Sequence, residues 1–281
     1  MSTQTCLGLR HIELAATITE AVCTLPAVAT VGWCDQAASR LQAFRPSVLA
    51  AVTIAQIDEH GELSRVFATG AAGERREAEH LERLRLRYEN GAAPLGWTLG
   101  DPAKWGGARA ERLTTLRSFP LWRASEPGRF WASLGATELL IGAARVASCE
   151  RGSVGLVECG LPASEVPFED ADPAVLRATL GPLANKAALA FGEGLGSLAQ
   201  ALTVREQEVL DHLTLGKSVK EIAAELMRSP HTVHDHVKSL HRKLNASSRG
   251  ELIARALGRL ELNGHRNGVH RNGVGRELIS M

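Results

Sequence analysis

Six polar side chains fall at helical spacing within residues 229–244: His231, His234, Asp235, Lys238, His241 and Arg242. An imidazole can donate or accept a hydrogen bond, a carboxylate accepts, and ammonium and guanidinium groups donate. One face therefore offers the donor and acceptor types that the base edges of a DNA major groove demand. His231, His234 and Asp235 are also metal-ligand types, but a face that enters a groove cannot close a coordination shell around an ion, and no metal is expected. Imidazoles with an ordinary pKa of about 6.5 imply tighter duplex binding near pH 6 than near pH 8.

The element that positions these groups is an amphipathic helix. Val233, Val237, Leu240 and Leu244 recur at steps of four, three and four residues and form one narrow apolar stripe. Ser229 suits the N-cap and Pro230 the first helical position, so a helix is predicted from Pro230 to Leu244. His236 falls on the flank of the stripe and is assigned to packing. Three further helices are expected around this one. Thr203/Glu206, Ser218/Glu221 and Ser248/Glu251 each place a hydroxyl three residues before a glutamate, the pattern of a reciprocal capping box. Gly216 stands where the first of these helices must stop and turn.

Residues 200–257 closely resemble the LuxR-type (GerE) helix-turn-helix domain. The resemblance rests on Leu202-Thr203-x-Arg205-Glu206-x-Glu208-Val209-Leu210 and Gly216-x-Ser218-x-Lys220-Glu221-Ile222-Ala223-x-x-Leu226. It continues through Ser229-Pro230-x-Thr232-Val233-x-x-His236-Val237, Lys243-Leu244 and Arg249-x-Glu251-Leu252. It implies an all-α, four-helix domain in a DNA-binding regulator of transcription, with His234, Asp235 and Lys238 facing bases. Lys220, Thr232, Arg242, Lys243 and Arg249 are the expected phosphate contacts, which fix register without reading sequence. Binding by a homodimer to double-stranded DNA with a palindromic operator follows, because one short helix reads too few bases for useful specificity.

The preceding residues have the pattern of an α+β unit. Helices are expected between Leu9 and Phe44, with Ile12, Ala15, Ile18 and Val22 on a shared face and Pro26 as an interruption. Val48 to Ile57 and Leu63 to Thr69 form one predicted hairpin around Asp58-Glu59-His60-Gly61, and Glu138 to Val146 with Val154 to Cys159 a second. Glu74 to Asn90 reads as a solvated helix, and Phe168 to Phe191 as a final helix that Pro182 kinks or splits. The order resembles a GAF-like or PAS-like sensory domain, an antiparallel sheet covered by helices. Trp97, Trp105, Trp122 and Trp131, four of the five tryptophans, cluster in a Gly- and Pro-rich stretch and are candidates either for core or lid packing or for lining a pocket for a small-molecule effector, a protein effector being the other reading of the domain.

The expected organisation is a sensory and dimerisation domain over 1–191, a linker over 192–200 containing Gly192, Gly194 and Gly196, a DNA-binding domain over 201–260, and a disordered tail over 261–281 that repeats His-Arg-Asn-Gly-Val. A net charge of +1 over 281 residues confines any nucleic-acid surface to a local patch. Five cysteines without a C-x-x-C pair and no apolar run near membrane-spanning length read as a soluble, cytoplasmic protein. No G-x-S-x-G, H-E-x-x-H or phosphate loop is present, so neither an enzyme nor a cofactor is expected; the alternative is an enzyme or small-molecule-binding protein acting through the first domain.

Overall fold

The computed structural model describes residues 7–58, 63–73, 78–89, 107–115, 119–147, 152–191 and 202–257. Helices α1 (Leu9–Cys23) and α2 (Trp33–Leu41) precede the hairpin β1 (Leu49–Ile57) and β2 (Leu63–Ala72). Then come α3 (Ala78–Glu89), β3 (Ala108–Arg112), α4 (Phe119–Ala124) and α5 (Glu126–Ser133), the hairpin β4 (Ala136–Arg145) and β5 (Ser153–Pro162), and α6 (Asp172–Phe191). The remaining helices are α7 (Val204–Thr214), α8 (Val219–Glu225), α9 (Pro230–Lys243) and α10 (Arg249–Ala256).

The strands form one antiparallel five-stranded sheet in the order β2-β1-β5-β4-β3. The α+β architecture with helices on an antiparallel sheet is therefore present as expected. Both faces of the central strands are buried, which explains why β1 and β5 are apolar almost without alternation. Ala50, Val52, Ile54, Val157, Cys159 and Leu161 point into a layer shared with α1, α2 and α6. Leu49, Ala51, Ile141, Ala143, Val154 and Leu156 point the other way, towards Trp131, Leu134 and Leu113. The helix α6 lies directly on β4 at Gly142, where a Cβ would stand 2.9 Å from Leu180 Cδ1.

Several sequence expectations are corrected. The stretch between α3 and β4 contributes β3, α4 and α5; β3, with the sequence Ala-Arg-Ala-Glu-Arg, is a charged edge strand without a β-branched residue. Ile12 is 54% exposed and does not share the buried face of Ile18 and Val22. Pro182 does not split α6, which runs unbroken for 20 residues. It sits on the outer side of that helix beside exposed Gly181, where a missing amide hydrogen disturbs packing least. The linker glycines, the repeat tail, Trp97 and Trp105 lie outside the described residues, as does the side chain of Trp122. Among the described residues, no helix is long and apolar enough to cross a membrane.

Candidate nucleic-acid interface

A third apolar cluster gathers Leu202, Val209, Leu210, Leu213, Ile222, Ala223, Val233, Leu240, Leu244 and Leu252, so α7 to α10 share a core of their own. Val28, from the loop between α1 and α2, is also in it, which the sequence did not indicate. The helix ends are set locally. Thr203 and Ser218 each accept from the amide three residues on while Glu206 and Glu221 accept from the cap's own amide, completing two capping boxes. The third is incomplete: Ser248 caps Glu251 N, but the Glu251 carboxylate accepts from Ser247 N and Oγ instead. Those bonds from Ser247, with one from Arg255, hold the Glu251 carboxyl down at about 2. Left-handed residues end three helices: Gly216 after α7, Met227 after α8 and Asn245 after α9.

Helix α9 begins with Ser229 Oγ accepting from Thr232 N at 3.0 Å and with Pro230 in its first turn. Val233, Leu240 and Leu244 are buried and Val237 is partly buried against the same core, as the stripe predicts. The opposite face is open: His231, His234, Asp235 and Lys238 are exposed. Asp235 is the electrostatic centre of that face, with His231 Nε2 at 3.5 Å and Lys238 Nζ at 3.7 Å. Neither ion pair is tight, and both partners are more than half exposed in solvent, so each group can exchange its neighbour for a base edge at little cost.

The basic residues divide into two sets. Lys220 and Arg242 are exposed, and Thr232 is exposed with Oγ1 at 2.8 Å from Ser229 Oγ. Lys243 instead turns inward, its Nζ 2.7 Å from Glu206 Oε2. Arg249 donates to the carbonyls of Lys217 and Leu213 beyond and within the end of α7. Burial alone would push the Glu206 carboxyl up, but hydrogen bonds from Lys243, Ser239 and Thr203 outweigh it and hold the group at about 2. The last turn of α9 is thus tied to the first turn of α7, and Arg255, donating to Leu244 O at 3.0 Å, ties α10 to the end of α9. These bonds orient the helix whose outer face is exposed.

One further basic group stands beside that face. Arg228, exposed in the turn before α9, lines a groove of about 220 Å³ with Arg205, Thr232 and half-buried His236. Its signal in the sequence was only its position, immediately before the Ser229 cap. His236 faces this groove, in keeping with its place on the flank of the apolar stripe.

Residues 200–256 match the pattern described as bacterial regulatory proteins, luxR family. The probable transcriptional regulatory protein NarL of Mycobacterium tuberculosis is 43% identical over 60 residues, 21% of this chain, and the match spans only 28% of that protein's length. The transcriptional activator protein SolR of Ralstonia nicotianae is 31% identical over 162 residues, 56% of this chain and 66% of its own. The spore germination protein GerE of Bacillus subtilis is 41% identical over 63 residues, which are 22% of this chain and 85% of GerE. With α7 to α10 matched to almost the whole of GerE, the chain belongs to the luxR family of bacterial regulatory proteins.

Proposed function

We propose that the chain is a sequence-specific DNA-binding regulator of transcription that acts in the cytoplasm as a homodimer on a palindromic operator, with residues 1–191 as the sensory and dimerisation domain and 201–260 as the DNA-binding domain. The observation that carries this reading is the division of α9: Val233, Leu240 and Leu244 are buried in the four-helix core while His234, Asp235 and Lys238 are exposed on the far side. A helix held this way can lay its polar face in a major groove. Lys238 then donates to guanine O6 or N7, Asp235 accepts from cytosine N4, and His234 serves in either sense. Lys220, Thr232, Arg242 and Arg228 contact phosphates, while Lys243 and Arg249 act on the protein side by fixing the helix ends. The name of SolR as a transcriptional activator supports the regulatory part of the reading.

The effector site belongs to the face of the sheet opposite α1 and α6. Trp131 is fully buried there beside Leu113 and Leu156, and its ring edge covers Gly160, where a Cβ would stand 2.7 Å from Cζ3. Trp131 and partly buried Phe130 are the aromatic groups of an otherwise aliphatic described layer, and such an apolar face suits a small, largely apolar effector. No enzymatic step is assigned to the chain.

Selection of duplexes from a random-sequence pool, followed by footprinting, tests the DNA reading. An enriched inverted repeat with two protected half-sites is expected; failure to enrich any sequence at low salt would overturn it. A shift of tryptophan emission on titration with apolar small molecules tests the effector site separately.

A further inference from the structure

Strand β5 carries one charged residue, and it is buried near the middle of the sheet. Glu158 is 2% exposed and stands opposite Ala51 of β1 and Ile141 of β4. Those two neighbours belong to the layer of Trp131, so the register places Glu158 on the effector face. Both sides of β5 are buried, and packing alone asks there for a valine or leucine, as at Val154 and Leu156 on the same side. A carboxylate instead accepts hydrogen bonds only, at about four lone-pair sites, and its burial is costly unless donors meet it.

The residues around Glu158 are small and partly polar. Ala51 and Ala71 continue its row across β1 and β2, and Gly160, the next residue on this side of β5, lies under the edge of the Trp131 ring. One row away, Thr53 is buried with its hydroxyl 3.2 Å from that of Thr69. Arg109 of β3, on the same side of the sheet, is taken by Glu111 at 2.9 Å. Trp131 is fully buried and its Nε1 hydrogen has no acceptor, so the groups of this layer leave its hydrogen bonding incomplete. A shielded carboxylate and an indole N–H thus share a floor of alanine and glycine.

We propose that the effector is a small amine with an apolar body, bound with its ammonium group on the Glu158 carboxylate and its body against Ala51, Ala71 and Trp131. An ammonium suits this position better than a neutral donor, because a charge-assisted hydrogen bond is roughly twice as strong, and an acid is repelled by the carboxylate. The proposal rests on the reading of this face as the effector site and gives the effector its charge.

Calorimetric titration of the full chain at pH 7 with three probes that share one apolar body reads that charge directly: 3-phenylpropylamine, 3-phenylpropan-1-ol and 3-phenylpropanoate. The amine is expected to bind about tenfold or more tighter than the alcohol, with the propanoate weakest. E158Q keeps the size of the side chain and removes its charge. It should bring amine and alcohol within about twofold of each other while the alcohol binds as it does to the parent. Equal binding of all three probes by the parent, or an amine preference that E158Q retains, overturns the amine and leaves the effector face standing. No binding of any probe overturns the face and the amine together. The parent titrations decide the matter alone should E158Q fail to fold.

Discussion

Lys243 Nζ lies 2.7 Å from Glu206 Oε2, and this pair joins the last turn of α9 to the first turn of α7. Both side chains are largely shielded, at 16% and 6% exposure, so the ion pair is partly desolvated and the carboxylate depends on its full set of donors. The Glu206 carboxylate also accepts from Ser239 Oγ at 2.6 Å and Thr203 N at 2.7 Å, so one group closes a capping box and orients the exposed helix at once. Lys243, expected from the family resemblance to contact phosphate, is held by Glu206 in this structure.

K243A should therefore destabilise the four-helix unit by about 3 kcal/mol, because it strands a shielded carboxylate without its cation. Urea unfolding followed at helix-sensitive wavelengths checks the value. A loss no larger than that of a surface alanine substitution would show that the pair does not join the helices.

The same group predicts an acid limb. Glu206 is held at about 2 in the folded chain against an ordinary 4.5, so its contribution is complete above about pH 4.5 and is lost as pH falls towards 2. At most about 3 kcal/mol is at stake across that window. E206Q should lower stability at pH 7 and flatten the dependence between pH 4.5 and 2, which denaturant midpoints at stepped pH would record. An equally steep acid limb in E206Q would assign it to other carboxylates.

Base-reading and phosphate-holding residues should separate by how their loss depends on sequence and salt. K238A is expected to cost about 1–3 kcal/mol on the enriched duplex and to relax preference at one base pair of each half-site. R242A should weaken all duplexes by a similar factor and make the slope of log affinity against log salt shallower by about one. Titrations on matched and scrambled duplexes at several salt concentrations distinguish the two. Equal loss on both duplexes for K238A would remove it from base reading.

Much of the four-helix unit was legible because its signals are local. The stripe from Val233 to Leu244, the Ser229 cap and Pro230 each depend on residues within a few positions, and α9 runs from Pro230 as the spacing predicts. The hairpins were legible for the same reason. What escaped depends on distant partners. Nothing near Lys243 reveals that Glu206 will face it, and nothing near Val28 reveals a place in the core of α7 to α10. The strand β3 escaped because an edge strand is specified by its neighbour, here β4 from Leu140 to Ala144, rather than by its own alternation.

The buried thiols give a prediction about reactivity. Burial pushes Cys34 and Cys159 far above the ordinary thiol range, with Asp35 and Glu158 adding charge repulsion, so neither forms a thiolate at neutral pH. Cys23, exposed at the end of α1, should take up a thiol reagent within minutes in the folded chain. Peptide mapping after alkylation should find Cys34 and Cys159 modified only in denaturant. Rapid labelling of either without denaturant would mean that the sheet layer around it opens.

Two glycines should differ sharply in their response to the same substitution. At Gly70 in β2, a Cβ would stand 2.3 Å from Asp35 N and 2.5 Å from Cys34 C, both backbone atoms that cannot swing aside. Asp35 Oδ1 also accepts from Ala71 N at 2.9 Å, so pushing α2 away from β2 breaks a bond as well as a packed layer. G70A is expected to cost about 3 kcal/mol or more by overpacking. At Gly181 in α6 nothing outside its own helix backbone and its chain neighbours lies within 4 Å of the added carbon, and the residue is exposed inside a continuous helix. The higher helix propensity of alanine is offset there by the crowding of a Cβ against the ring of Pro182, which follows directly, so G181A should change stability by less than about 1 kcal/mol. Thermal unfolding of the two variants beside the parent tests the contrast, and a G70A chain as stable as the parent would mean that α2 is not held against β2.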